Sequence, residues 1–457
     1  MSAAEQANAA LVPALGPERP VVWPPRTVRR LGNGMQAVLV EAHGVPRLTV
    51  ELLLRSGNAA TALTVPGLAD MVATTVRTGT ARRSRRQIEE DLRRMGGELA
   101  TGAGADSSMI AADGLAEAAG PLAELVAEIA REATFPEAEF EHERQQAIEA
   151  LKLERVTPGF LANERMRREL FGAHPYAVIS PTIEQVEGYH LADLRAFYTH
   201  HYVASNALLI AVGDFSADRM MEHIERAFGS WPSGEQPAFE DSLLTRWRGR
   251  RVHLVHLPET TQARVVVANR AITRQHPDWT RLAVANAIYG GAFHSRLVAN
   301  IREQKGYTYS PGSQAQSLRR QGWFSAQAAV RNEVVAATLT EIFYEMDRMR
   351  SLPVGAEELA EIQNYLTGVF SLGVATQDGL RRQLSTVYLH ELPGDYLETY
   401  RERVRAVTIE QVLEAARKWM DSANALVVVV GDRAQVAEQA ALFGEVNLWD
   451  ADGKRIE

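Results

Sequence analysis

The segments "SNALLIAVGD" (205–214) and "ANALVVVVGD" (423–432) lie at a constant offset of 218 residues. They agree at Asn206 and Asn424, Ala207 and Ala425, Leu208 and Leu426, Val212 and Val430, Gly213 and Gly431, and Asp214 and Asp432. Each contains a strand-sized apolar run, and each is preceded by an amphipathic helical pattern, "HLADLRAFYTHHY" in the first and "TIEQVLEAARKWM" in the second. A shared "VGD" alone could arise by chance, but matching flanks over such a distance point to a duplication. A repeat of about 200 residues is too long for a solenoid unit and suits a domain. The fold must therefore accommodate two related domains.

The boundaries follow from local punctuation. The segment 231–250, "WPSGEQPAFEDSLLTRWRGR", holds two prolines and no clear periodicity and reads as a linker between domains at 26–230 and 251–457. Residues 1–25 are expected to form a loosely ordered arm. In the first copy, Asn33-Gly34 between apolar alternations signals a type I′ hairpin. Helices are expected over 67–77 and 84–97, the second opened by a Ser84/Gln87 capping box and stopped by Gly96. "ELATGAGA" and "SSMIAAD" alternate as strands, ahead of helical patterns over 115–133 and 136–155. Strands and helices come in blocks, which predicts an α+β fold: two homologous domains, each a mainly antiparallel sheet packed with helices on one side.

Composition excludes several classes. With no cysteine there can be no disulfide, thiol nucleophile or cysteine-held metal. A net charge of −8 argues against a general nucleic-acid binder, and the arginine run at 77–86 reads as a solvated loop and helix start. The longest apolar runs fall far below the ~18 residues of a membrane span. The first 25 residues lack a basic segment ahead of an apolar one, so they do not read as a signal peptide. The cytoplasm is the default expectation, and the periplasm the alternative for a chain whose leader was removed.

A search for metal ligands among the histidines yields nothing: there is no H-x-x-x-H or H-E-x-x-H. His253 and His256 sit three apart in a strand pattern and face opposite sides, His200-His201 read as packing or capping, and His174 as a loop hydrogen bond. Gly-rich "GNGMQA" and "GGAFHS" do not make a phosphate cradle. There remains "GGAFHSRLVANIREQKGYTYS" (290–310), where Leu297, Val298 and Ile301 keep a helical spacing and Gly306 stops the helix. The expectation is that Arg302 occupies the last helical turn and that Tyr307 and Tyr309 share one face of a following strand. Arg302 and Tyr309 could then meet at one cleft, although an arginine in a last turn also simply complements the helix dipole.

These residues resemble the C-terminal half of the pitrilysin family of zinc metallopeptidases, in particular its processing-peptidase subgroup. There a motif S-R-L-x-x-x-[IL]-R-E-x-x-G-x-x-Y-S carries a substrate-binding Arg/Tyr pair, and "SRLVANIREQKGYTYS" matches it, placing that pair on Arg302 and Tyr309. The resemblance extends over nearly the whole chain from about residue 26 through "NGMQAVLVE", "LLLRSGN", "GLADMVATTVRTGT", "HPYA" and "PDWTRLAVANAIYGGAFHSRL". It also implies two homologous α+β domains. Active members carry H-x-x-E-H in the helix that here reads "GLADMVATTVRTGT", so its places fall on Asp70, Ala73 and Thr74. The place of the third ligand, a glutamate, falls on Ala150, with Glu149 beside it as a substitute only by a register slip.

Catalytic zinc needs three protein ligands, so the resemblance implies that no metal or other cofactor is held in this chain. Zinc is expected instead in a homologous partner subunit that keeps H-x-x-E-H. The implied role is a non-catalytic, substrate-positioning subunit of a heterodimeric peptidase whose substrates are peptides or unfolded polypeptides. The alternatives are a structural homologue resembling the core subunits of respiratory complex III and a peptide-binding, chaperone-like homodimer.

Overall fold

The structure, a computed structural model, describes residues 21–235, 244 and 247–456. The expected N-terminal arm lies outside the described residues as far as residue 20, and the expected linker lies outside them at 236–243, 245 and 246. Twelve strands are described: β1 Arg26–Arg30, β2 Gln36–Glu41, β3 Arg47–Leu54, β4 Leu99–Ala103, β5 Ser108–Leu115, β6 Ala207–Gly213, β7 Arg251–His256, β8 Gln262–Ala271, β9 Gly312–Ser317, β10 Gly322–Arg331, β11 Leu426–Gly431 and β12 Val446–Trp449.

They form two six-stranded sheets, ordered β1-β2-β6-β3-β5-β4 and β12-β7-β11-β8-β10-β9. The two repeated segments occupy the same slot in each. β6 runs parallel to β2 and antiparallel to β3; β11 runs parallel to β7 and antiparallel to β8. Four of the five strand pairs are antiparallel in the first sheet and three of five in the second. The copies differ at one margin, where β1 comes from the start of the chain and β12 from its end.

Every residue of β6 and β11 is buried. A strand alternates its side chains between two faces, so both faces must be covered. In the first sheet Leu209 and Ala211 point to helices of their own half, whereas Leu208, Ile210 and Val212 pack against Leu380, Leu384 and Val387 of the helix Gln377–Leu389 from the other half. In the second sheet Val427 and Val429 face their own helices, while Leu426, Val428 and Val430 meet Leu161, Met166 and Leu170 of the helix Pro158–Phe171. Each domain's own helices thus lie on one side, and the opposite side is closed by a helix lent by the other half.

A polar lock accompanies the exchange. Glu51 of β3 is 2% exposed. It receives Arg381 Nη1 at 2.6 Å and the hydroxyl of Ser385, both from the lent helix. Asp378 holds the same guanidinium from the other side, at 2.6 Å.

The predicted capping box at Ser84 and Gln87 is present, and Gly96 ends its helix at φ +63°. The hairpin at Asn33-Gly34 is real but not a two-residue type I′ turn. Arg30 pairs with Gln36 across a five-residue loop, and Asn33 does not take the positive φ that type I′ demands. Its side chain does two jobs: Oδ1 accepts the Met35 N–H at 3.2 Å within the turn, and Nδ2 donates to the carbonyls of Phe228 and Trp231 at 2.8 and 3.1 Å. In the arginine run Arg82 and Arg86 are exposed as expected, yet Arg82 and Arg83 both reach the buried Glu128, and Arg85 pairs with Glu139 at 3.0 Å.

Removing one partner of a buried ion pair leaves the other charge uncompensated, a loss of about 3–5 kcal/mol. Arg381→Met should therefore lower the unfolding free energy in urea by about that amount, whereas the double substitution Glu51→Leu with Arg381→Met should recover most of it.

Candidate functional site

The helix Leu68–Thr75 carries Asp70, Ala73 and Thr74, the residues expected at the places of the H-x-x-E-H motif. Asp70 and Thr74 are four residues apart and share a face. Both line a cleft of about 410 Å³ together with Ala150 of the helix Glu137–Glu154. Ala73, also on the first helix, is 0% exposed and contributes only packing. Leu151, Phe160, Ile179, Pro181 and Tyr189 make the rest of the cleft largely apolar. Asp70, Thr74 and Ala150, which the resemblance singled out, therefore do meet at one cleft.

Asp70 accepts 2.6 Å from Asn58 Nδ2 and 3.3 Å from the backbone N–H of Ala103, on edge strand β4. Crowding by surrounding protein raises its pKa, against the pull of those two donors. Glu154, at the same cleft, is also raised: burial is the main cause, Arg155 opposes it, and Asp70 and Glu164 add repulsion. Glu149 gives no substitute ligand. It is exposed, outside the cleft lining, and held by Lys152 at 2.8 Å, which lowers its pKa. Among the described residues no group of three or more histidines, aspartates or glutamates is arranged to hold a metal ion. One aspartate, a threonine and two alanines at the ligand and base places do not fit catalytic zinc.

The histidines set aside from the sequence are in structural use. His174 Nδ1 accepts the Tyr176 N–H at 3.0 Å. His201 is buried against Ser56, and burial pushes its pKa down to about 4.

Arg302 lies in the last turn of its helix, as expected, but that turn is π-wound over Val298–Gln304. Arg296, just before it, anchors the segment by a bidentate pair with Glu358 at 2.8 and 2.7 Å. Asn300 ties it to Glu341 and Glu345, both at 2.9 Å. Gly306, at φ +64°, ends the helix by donating to Arg302 O at 3.1 Å. The strand expected at Tyr307 and Tyr309 is absent: β9 begins only at Gly312. Pro311 intervenes, and proline has no N–H to give to a ladder.

Without a shared strand face the two tyrosines part. Tyr307 packs against the core of its half, while Tyr309 is 79% exposed. The loop nevertheless brings Tyr309 to Arg302, whose guanidinium carbon lies 4.4 Å from the phenol ring centre and 5.1 Å from that of Phe293. The guanidinium is thus stacked by two exposed aromatic rings, and an exposed Glu303 at 3.1 Å from Nε is its ion-pair partner. Stacking holds the plane of the group while leaving its N–H edges available. The group lies on an open face and lines neither the 410 Å³ cleft nor the larger cavity between the halves. Phe293 was not singled out in the sequence; the only cue is a lone aromatic among the small residues of "GGAFHS".

Two sequence profiles match this chain: Insulinase (Peptidase family M16) over residues 36–171, and Peptidase M16 inactive domain over 190–366. The uncharacterized zinc protease YmxG of Bacillus subtilis is 22% identical over 408 residues, spanning 87% of this chain and 96% of that one. Subunit beta of the bovine mitochondrial-processing peptidase is 25% identical over 439 residues, 91% of this chain and 86% of that one. Among solved structures, a peptidase M16 inactive domain from Pseudomonas fluorescens superimposes with a TM-score of 0.84 at 24% identity, covering 89% of this chain and 98% of that one. A protease from Helicobacter pylori also gives 0.84, at 18% identity, over 89% and 99%. These structural likenesses show the fold.

If the cleft preserves the metal site's geometry, installing ligands should restore binding. The triple variant Asp70→His, Thr74→His, Ala150→Glu should carry about one zinc per chain by elemental analysis, and the unaltered chain none; stoichiometric zinc in the unaltered chain would contradict the reading of the donor set.

Proposed function

The chain belongs to peptidase family M16, the pitrilysin family of metallopeptidases, and we propose that within it this chain is the non-catalytic, substrate-positioning subunit of a two-chain zinc peptidase. The observation that carries the proposal is the stack of Arg302 on Tyr309, 4.4 Å apart on an open face, in a chain whose own metal-ligand places hold Asp70, Thr74 and Ala150. The name of one relative, a processing-peptidase subunit, supports a subunit role.

In this reading the partner is a homologous chain that retains H-x-x-E-H and holds the zinc, which activates water for hydrolysis. The present chain contributes binding and charge stabilisation. Arg302, with its plane set by Phe293 and Tyr309, offers parallel N–H donors to a peptide carbonyl. The Tyr309 O–H donates to the carbonyl oxygen as negative charge develops on it, an interaction stronger in the transition state than in the bound substrate. The substrate is a peptide or unfolded segment in extended form. Strand β9 starts three residues beyond Tyr309 and forms a sheet margin, so its outer backbone groups can pair with such a chain. The exposed aromatic rings of Phe293 and Tyr309 beside the guanidinium add contact area for side chains of any sequence.

Purified alone, the chain should release no product from a quenched fluorogenic peptide; mixed with a co-expressed H-x-x-E-H homologue it should support turnover. In the mixture, Tyr309→Phe should lower kcat by about 10²–10³, and Arg302→Ala should lower kcat/KM to a similar degree with zinc content unchanged. Equal turnover by the variants would leave a purely structural or peptide-holding subunit as the better account.

A further inference from the structure

At the junction of the halves lies a cavity of about 640 Å³ that the peptidase reading does not use. The first half contributes Arg30 and Arg55, and the second contributes Arg319 and Arg320 from the β9–β10 turn. Against these four guanidinium groups stand two carboxylates, Asp106 and Glu391. Both are already engaged. Asp106 accepts the Tyr176 hydroxyl and the backbone N–H of Arg319, the latter at 2.8 Å, and Glu391 accepts Arg319 Nη2 at 3.0 Å. Glu391 is one of three non-glycine residues with positive φ among the described residues, at +52°; that strained backbone sets its carboxylate at the cavity wall.

Arg55 is differently placed. It extends from the end of β3 beside Ser56, whose own hydroxyl is fixed by contacts of 3.0 Å to His201 and to Asn206. Among the described residues its one side-chain hydrogen bond is to Gln36 Oε1, at a long 3.4 Å. Neither Arg55 nor Arg30 makes an ion pair among the described residues. Burial lowers the Arg55 pKa, repulsion from Arg319 and Arg30 adds to this, and Glu391 only partly offsets it. A half-buried cation facing like charges, in a protein of net charge −8, is held where an external anion would relieve it.

We propose that this junction cavity is a binding site for a small organic oxyanion, a carboxylate or a phosphate, gripped by Arg55 and Arg30. The planar fork of a guanidinium matches two oxygens of such a group with parallel hydrogen bonds. The cavity is larger than one oxyanion and falls in the usual range for small-molecule pockets, about 300–1,000 Å³, so the anionic group belongs to a larger molecule. Because the walls come from both halves, a ligand that fills the cavity touches both, and its binding stabilises the folded chain. The proposal stands whether or not a partner chain cleaves peptides.

Two sources of the same chemistry are separable by experiment. Isothermal titration and thermal unfolding of the full chain would use inorganic phosphate, N-acetyl-trialanine with a free carboxylate, and the amide of that peptide, all at ionic strength matched with sodium chloride. Saturable binding of phosphate alone identifies a phosphate-type ligand; binding of the free-acid peptide but not its amide identifies a peptide carboxyl group. Either result should come with a rise in unfolding temperature and with a loss of affinity of about tenfold or more in Arg55→Met. Arg30→Gln, at an exposed position, should weaken the same binding several-fold and serves where Arg55→Met fails to fold. No binding of either anion above the salt control, or affinities unchanged in the folded variants, overturns the proposal.

Discussion

Burial of β6 and β11 on both faces is the constraint from which the rest of this architecture follows. A fully apolar strand in the middle of a sheet needs cover on two sides, and each buried Val, Leu or Ile side chain contributes about 1.5–3 kcal/mol when that cover is present. The helices of one half close only one side. The other side is closed by Gln377–Leu389 over the first sheet and by Pro158–Phe171 over the second. The Glu51–Arg381 pair then fixes one lent helix in register, because an ion pair so deeply buried tolerates little displacement. The two domains are in this sense one cooperative body, and the cavity at their junction keeps its walls for the same reason.

Much of the scaffold was legible in the sequence. Constant spacing of the repeated segment gave the duplication, and caps such as Ser84/Gln87 and stops such as Gly96 and Gly306 act through local backbone geometry that nearby residues determine. Exchange of helices was not legible. A helical stripe such as Ala162, Met166 and Leu170 says that a helix face must be covered, but not which of two similar sheets covers it. The turn around Asn33 misled for a related reason: a side chain that reads as a local turn former is recruited by Phe228 and Trp231, far along the chain.

The candidate sites divide along the same line. Asp70, Thr74 and Ala150 were reached only through the family resemblance; helical spacing then puts the first two on one face, and a second packed helix brings Ala150 to the same cleft. Arg302 and Tyr309 do meet, by a route different from the one their spacing suggests, since Pro311 denies the tyrosines a strand and a loop delivers the contact instead. The convergence of Arg30, Arg55 and Arg319 has no local signature at all: each is an ordinary surface-type arginine until the halves close.

The π-wound segment Val298–Gln304 has a geometric consequence of its own. A π turn accommodates one residue more than an α turn between successive hydrogen-bonded groups, and one residue corresponds to about 100° of rotation about a helix axis. The extra residue therefore works as an angular offset. Anchored upstream by Arg296 and Asn300, the segment delivers Arg302 to the side shared with Phe293 and Tyr309; rewound as a plain α-helix by a one-residue deletion, it would swing the guanidinium to a different bearing and leave both rings without their cation.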